Sequence, residues 1–506
     1  MDQLVRVIPD TYFDSVVLMG AAAKAKARDG VSEAAAFMGT TANKALLVTA
    51  GFPEDSFTTA GAGDVILALM VTPEVGEAVM ADVVDGLLGA SRASDEGERT
   101  IEHRSLAGAL RTITRHGETA DLAVISLPGQ YVETQAMLAL KRGLNTFIFS
   151  DNVPLDSEVR LKEEAVRRGL LCMGPDCGTA WIGGLGIGFT NEVPRGSIGI
   201  ISAAGTGLQA VACGLANGGE GISHGIGVGG RDLSKEVGAR MTLLALTMLD
   251  ADPLTEAIVI VSKPPAPETL VVLEEALTRI RKPVVVACLG APERVTDRAT
   301  WVSTLSDAVE VTLAMRQGRE RSTATFGNPA AVDAALASTV VGKGPLLGLF
   351  TGGTLAHEAE LILADALGPV SYGDEDALAR GEHAILDLGD DQYTQGRPHP
   401  MIDPQPRADR IVEMGTSAGV ILLDLVLGRN SHPDPSAPVV EAIATLRARL
   451  GEATPPIVAS VTGTPQDAQS RPRQEAALVD AGCVVLPNNA QAARFAARLL
   501  TEGNAR

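Results

Sequence analysis

The sequence predicts an α/β protein of several domains built on doubly wound parallel sheets. Three observations lead there. At 506 residues the chain exceeds one core of ordinary size, and about 150 residues per domain suggests three. Short apolar runs recur along it, at 122–127, 146–149, 198–202, 257–261, 284–288, 346–350, 420–425, 457–461 and 483–486. Runs of this length, often β-branched, read as strands buried on both faces. The 54 glycines cluster after these runs, as tight strand-to-helix turns require.

Mixed-charge helical segments at 157–168 and 269–280 alternate with the strands, which favours right-handed βαβ crossovers. In the first hundred residues, 5–9 and 44–49 read as strands and 91–97 as a surface loop. A turn-like stretch at 191–196 and a polar, helix-prone stretch at 315–344 separate three domains. These are residues 1–190, 195–315 and 345–506.

The formal charge of −20 comes without clusters of Lys and Arg, so a nucleic-acid partner is excluded. The five cysteines (Cys172, Cys177, Cys213, Cys288 and Cys483) form no C-x-x-C pair. Neither a zinc site nor a disulfide framework is expected, and no metal is assigned. No basic segment with an apolar h-region opens the chain, and no run of 18 apolar residues occurs. The expectation is a cytoplasmic protein without a membrane partner.

Chemistry is sought where helices start after strands. The run GIISAAGTG at 199–207 leads from a strand into a helix. Unpaired N–H groups there favour an anion, with Ser202, Ala203, Ala204, Gly205, Thr206 and Gly207 as its binding loop. A tight βα turn explains the same glycines. Downstream, GISHGIGVGGRD at 221–232 is glycine-dense, and Gly229 and Gly230 permit close approach to a ligand. His224 is read as an acid–base group or a hydrogen-bond donor. Arg231 is read as a clamp on an oxyanion, and Asp232 as its support or a helix cap. A second nest is expected at Thr351, Gly352, Gly353 and Thr354, with His357 one turn further on. Cys177 (nucleophile or packed thiol), Lys263, Asn430 and His432 stand near other strand ends and complete the candidate substrate-binding set.

These segments carry a family resemblance. GPDCGTA (174–180), SAAGTGLQ (202–209), GISHGIGVGGRDLS (221–234), SKPPAP (262–267) and LLDLVLGRNSHPDP (422–435) resemble FdrA proteins, relatives of succinyl-CoA synthetases. The resemblance implies a Rossmann-like N-terminal domain followed by two flavodoxin-like, synthetase-type domains. Residues 116–190 would be the second half of a CoA-binding domain. Residues 195–315 would match the ligase domain of the synthetase α subunit, and 345–506 the C-terminal domain of the β subunit. It also implies that the two helix starts face one phosphate site. The synthetases carry their phosphorylated histidine in a GHAG segment. Here the matching stretch is LGAPERVTDRATWVST (289–304), without histidine, and no ATP-grasp domain is evident. The nearest glycine loop in the first hundred residues is TTAGAGD at 58–64.

The resemblance thus implies a carbamoyltransferase subunit in allantoin breakdown. It would interconvert oxalurate plus phosphate with oxamate plus carbamoyl phosphate, working in an oligomer with partner chains. Phosphate or carbamoyl phosphate is then substrate, and CoA is not required. The alternatives are an acyl-CoA synthetase using His224 or His357, with CoA bound, and a non-catalytic scaffold with an anion site.

Overall fold

The computed structural model describes residues 2–9, 11, 13, 15–93, 103, 105–342, 344–394 and 398–505. The chain divides at residue 112 into two compact units, inside the stretch 1–190 read above as one domain. The first unit runs to Thr112 and includes Asp391–His399. It contains β1 (Asp2–Ile8), α1 (Ser15–Lys26), β2 (Val31–Met38), α2 (Thr41–Thr49), β3 (Val65–Val71) and α3 (Gly76–Ala93). The sheet is antiparallel with order β1-β3-β2. Strand periodicity of two splits β3 between two cores. Val65, Leu67, Leu69 and Val71 pack with Leu18, Val79, Met80 and Leu87, whereas Ile66 and Ala68 pack with Leu47, Phe52 and Phe57.

Residues 44–49, read as a strand, are helical. The short run Leu46-Leu47-Val48 satisfies either period, and Thr40 decides it by accepting the Asn43 N–H as N-cap. The glycine loop at 58–64 is a turn into β3, closed by Gly61 N–H donating to Asp64 at 2.7 Å. Of the loop expected at 91–97, Ser91–Ala93 end α3 and the rest lies outside the described residues.

Helix α4 (Leu106–Arg115) runs across the division. In the second unit, β4 (Leu122–Ile125), β5 (Asn145–Ile148) and β6 (Cys172–Met173) form a parallel sheet with α5 (Gly129–Lys141) and α6 (Leu155–Arg168). This is the Rossmann-like half of the N-terminal third. The antiparallel hairpin β7 (Thr179–Ile182) and β8 (Leu185–Gly188) then joins an eight-stranded sheet. Its other members are β9 (Arg195–Ser202), β10 (Ile222–Gly227), β11 (Ala257–Ser262), β12 (Val284–Cys288), β13 (Arg294–Val295) and β14 (Ala299–Val302). The helices are α7 (Gly205–Asn217), α8 (Arg240–Ala251), α9 (Pro267–Leu277) and α10 (Leu305–Gln317). Strand order is β13-β14-β12-β11-β9-β10-β7-β8, parallel from β14 to β10.

The stretch 315–344 contains α11 (Pro329–Ser338), started by the Asn328 side chain, and β15 (Val340–Val341). The last sheet is wholly parallel, with order β17-β18-β16-β19-β20-β21. Its strands are β16 (Leu346–Phe350), β17 (Val370–Tyr372), β18 (His383–Asp387), β19 (Val420–Val426), β20 (Ile457–Thr462) and β21 (Val484–Leu486). Helices α12 (Gly353–Leu367), α14 (Gln405–Met414), α15 (Ser436–Leu450), α16 (Arg471–Asp480) and α17 (Asn489–Glu502) cover it. The short α13 (Asp391–Thr394) belongs to the first unit, and β22 (Asn504–Ala505) pairs with β15.

The nine apolar runs are the strands expected, and most are buried on both faces, whereas β4 leaves Val124 exposed. One apolar core holds Leu208 and Val211 of α7, Leu355 and Ala359 of α12, and Phe495 of α17 together with strands of both large sheets. The two sheets are therefore locked through their helices.

Candidate functional site

Helix α7 starts directly off β9. Its N-cap is Ala204, which offers no capping side chain, so the N–H groups of Gly205, Thr206 and Gly207 lack intrahelical acceptors. The residues before it are spent on the turn. Ala203 N–H donates to Val261 O at 3.0 Å, and Ala204 N–H donates to Ser202 Oγ at 3.1 Å. Ser202, Ala203 and Ala204 therefore shape the nest, and Gly205, Thr206 and Gly207 present it. This narrows the sequence reading, which took all six as the binding loop.

Helix α12 starts off β16 with Gly352 as N-cap. Here a buried carboxylate has taken two expected donors. Asp424, on β19, accepts the Thr351 N–H (2.8 Å), the Thr351 hydroxyl (3.0 Å) and the Gly352 N–H (2.9 Å). Arg407, buried on α14, donates to both the Asp424 carboxylate and its carbonyl. Thr351 and Gly352 are thus anchors of the turn, a correction to the sequence reading. Gly353 and Thr354 present the nest.

The two helix starts meet. A Cβ on Gly352 would lie 2.9 Å from Cβ, Cγ2 and Oγ1 of Thr206, and one on Gly207 would lie 2.9 Å from Thr354 Cγ2. Glycine on each helix makes room for the threonine of the other. The positive ends of two helix dipoles therefore lie side by side, an arrangement that favours an anion. Asp387, at the end of β18, borders it. One oxygen would come within 2.5 Å of a Cβ on Gly353, while the carboxylate accepts Gly389 N–H (3.1 Å) and Tyr372 O–H (3.3 Å). Sequence reasoning saw Asp387 and Asp424 only as the first residues of polar stretches at strand ends and gave them no site role. The available signal was an acidic residue at the polar end of an apolar strand, in AILD and ILLD.

The glycine-dense stretch has a different job. Gly227 and Gly229 make room for Cys177 and Pro175, since a Cβ on either would meet Cys177 Sγ at 2.5 Å or Pro175 O at 2.6 Å. A Cβ on Gly230 would lie 3.8 Å from Ala203 O, so Gly230 borders the α7 turn. Arg231 is committed to Glu158 (2.8 Å) and Val153 O (2.8 Å), not poised for an oxyanion. Asp232 is fully buried. It accepts Met241 and Thr242 N–H groups at the start of α8 and pairs with buried Lys162 at 2.9 Å. Of its two readings the helix cap is realised, and its ion-pair partner is Lys162 rather than Arg231. Lys162 also binds Glu158 and Val228 O, which ties α6 to this loop.

His224 is at the wrong edge of the sheet. It lies three residues before the end of β10, about 10 Å back along a strand. Nδ1 accepts Gly183 N–H at 3.1 Å and Nε2 lies 3.7 Å from Asp252, which follows α8. Burial holds its pKa below the usual imidazole value. His224→Gln is therefore expected to keep activity within about twofold and to cost about 1 kcal/mol for one lost hydrogen bond. Steady-state rates and a thermal melt check this, and a hundredfold loss of rate would restore His224 as catalyst.

Other candidates are also structural. The Cys177 thiol is buried between Thr179 O and Gly227 O, and burial pushes it up to about 12, which fits the packed thiol of the two readings. Asn430 donates to Gly188 O at 2.9 Å, and His432 accepts the Asp434 N–H at 3.1 Å. His357 pairs with Glu360 at 2.9 Å on α12, and His383 accepts Leu346 N–H at 2.9 Å. Lys263 is exposed at the end of β11, the strand beside β9.

Comparison with known proteins gives this geometry a family. A model described as CoA-ligase matches residues 349–499, and one described as AllF, heavy metal-associated domain, matches residues 1–103. The chain is 34% identical to the uncharacterized protein YahF of Escherichia coli (strain K12), over 98% of each chain. It belongs to the FdrA family. This FdrA chain is accordingly succinyl-CoA synthetase-like in its domain make-up. Among solved structures it is similar to the apo form of the dinucleotide forming acetyl-coenzyme A synthetase 1 of Ca. Korarchaeum cryptofilum. Identity is 18%, TM-score 0.30, and coverage 75% of this chain and 82% of that one. It is similar also to ATP citrate lyase from Methanothrix soehngenii in complex with citrate and coenzyme A (12%, TM-score 0.34, 79% of each). At these TM-scores the likeness supports no functional statement.

The heavy-metal description does not fit the donor set of this FdrA chain. All five cysteines lie at Cys172 or beyond, so residues 1–103 have no thiolate for a soft metal. Among the described residues no group of three or more His, Cys, Asp and Glu gathers to hold a metal ion. Also among them, no helix is long and apolar enough to cross a membrane.

Proposed function

We propose that this chain is the subunit of a carbamoyltransferase that binds phosphate between the starts of α7 and α12. It would interconvert oxalurate plus phosphate with oxamate plus carbamoyl phosphate, together with partner chains. The observation that carries the reading is the meeting of two helix N-termini whose neighbouring histidine, His357 one turn into α12, is paired with Glu360. Phosphohistidine chemistry needs a free histidine there. The stretch after β12 lacks one, and His224, His357, His383 and His432 are engaged elsewhere. A phosphate nest without a phosphohistidine suits a reaction in which phosphate itself is the nucleophile. The AllF description of the N-terminal match agrees with this assignment.

Chemically, the N–H groups of Gly205, Thr206, Gly207, Gly353 and Thr354 would hold phosphate and the charge that develops as its oxygen attacks the ureido carbon. Fixed dipoles do this without reorganising. Lys263, on the neighbouring strand end, would supply a cation for the oxalurate carboxylate. Incubating the chain and its partner subunits with oxalurate and inorganic phosphate should yield oxamate and carbamoyl phosphate without ATP or CoA. The CoA-ligase match favours a second reading, an acid–thiol ligase. Turnover that required CoA and a nucleotide would replace the first with the second.

A further inference from the structure

Asp387 is not needed to build the nest, since Asp424 already anchors the turn before α12. It is nevertheless set where a carboxylate is least expected, beside a site made for an anion. Three features hold it there. Residue 353 is glycine, and any Cβ would meet an Asp387 oxygen at 2.5 Å. The Gly389 N–H fixes Oδ1 at 3.1 Å, and the Tyr372 hydroxyl approaches Oδ2 at 3.3 Å. The residue is 8% exposed, so water does little to support its charge.

We infer that Asp387 is the acid–base residue of this site, shuttling a proton between phosphate and the departing amide nitrogen. The inference rests on the phosphorolysis reading above. A phosphate oxygen of HPO₄²⁻ forms a bond to the ureido carbon as the carbon–nitrogen bond breaks. The electron pair goes to the nitrogen of oxamate, which takes the Asp387 proton. Asp387 then receives the proton that phosphate gave up. The products are carbamoyl phosphate dianion and oxamate, and the carboxyl ends as it began.

The surroundings favour the neutral carboxyl. Burial and the carboxylates of Asp424 and Asp390 push Asp387 up to about 6. The neighbouring elements add few competing groups. Tyr372 on β17 is itself pushed far above its usual range and stays a neutral donor. On β19, Asp424 is tied to Arg407 of α14. On α12, His357 and Glu360 pair with each other, and Glu358 faces Leu305 and Asn489. A carboxyl neutral below about 6 can sit beside a dianion, whereas an ionised one repels it. Bound anion therefore falls as pH rises through that value.

The test uses Asp387→Asn, which keeps the shape and an acceptor for Gly389 but carries no transferable proton. Sulfate is the probe, because its charge is constant where phosphate titrates. Calorimetry on the full chain from pH 5 to 8 should show wild-type sulfate affinity falling at least fivefold, Asp387→Asn nearly flat, and His357→Gln like wild type. In the assembled complex, Asp387→Asn should lose about 10²–10⁴-fold in kcat with KM for phosphate little changed. Equal pH dependence of sulfate binding in wild type and Asp387→Asn, with wild-type kcat, overturns the inference. If the complex fails to phosphorolyse oxalurate while Asp387→Asn still flattens sulfate binding, the reaction assignment falls and the proton at Asp387 stands. A circular-dichroism melt confirms that the variant is folded.

Discussion

Asp424→Ala is expected to destabilise the second unit by about 3–5 kcal/mol, the cost of leaving a buried charge without its partner. Arg407 is 1% exposed, its Nε already lacks an acceptor, and its ion-pair partner is Asp424. The same change strips acceptors from Thr351 and Gly352, whose N–H groups are buried at the start of α12. Both losses act on one turn, so the nest should loosen before the sheet melts. The first thermal transition should move down sharply, and sulfate affinity should fall in protein that remains folded. Replacing both partners, Asp424→Leu with Arg407→Met, should recover part of the stability, because a neutral pair leaves no orphan charge. If the single change leaves the transition in place, Asp424 does not anchor α12.

Gly352→Ala is expected to reduce activity about a hundredfold or more, with a stability cost of about 1–3 kcal/mol from overpacking. The added methyl would sit 2.9 Å from three atoms of Thr206, so α7 and α12 must separate. A shift of about 1 Å at the junction displaces both sets of N–H donors from a shared phosphate, which is why rate suffers more than stability. The backbone at 352 has φ −113, so steric contact rather than backbone strain is the cause. Gly178→Ala is the control. Its methyl would meet only Phe189 at 3.7 Å, and both stability and rate should hold. Phosphorolysis rates and melting temperatures of the two variants decide it.

Much of the fold could be read in advance because period and burial agree. Strands such as β12 and β16 are apolar throughout and buried throughout, so their pattern had one reading. Residues 44–49 failed because an apolar run as short as Leu46-Leu47-Val48 fits a strand and a helix alike, and Thr40 upstream held the deciding signal. The parts of the site also divide by physics. Gly205, Thr206 and Gly207 were legible, since a helix starting off a strand with no capping side chain leaves its first N–H groups unpaired wherever the helix goes. His224 was misread because a motif does not tell which edge of the sheet a residue occupies, and a parallel sheet has its loops of interest at one edge only.

The sequence by itself determined the parallel α/β sheets and the existence of two glycine-rich helix starts, because strand period, glycine turns and capping are local. Only the tertiary structure brought those starts together. The pairing of Gly207 with Thr354 and Gly352 with Thr206, the capture of Thr351 and Gly352 by Asp424, and the place of Asp387 beside Gly353 join residues from 34 to 147 positions apart. Contacts at such separations depend on how two sheets pack through shared helices, and neither periodicity nor composition carries that information.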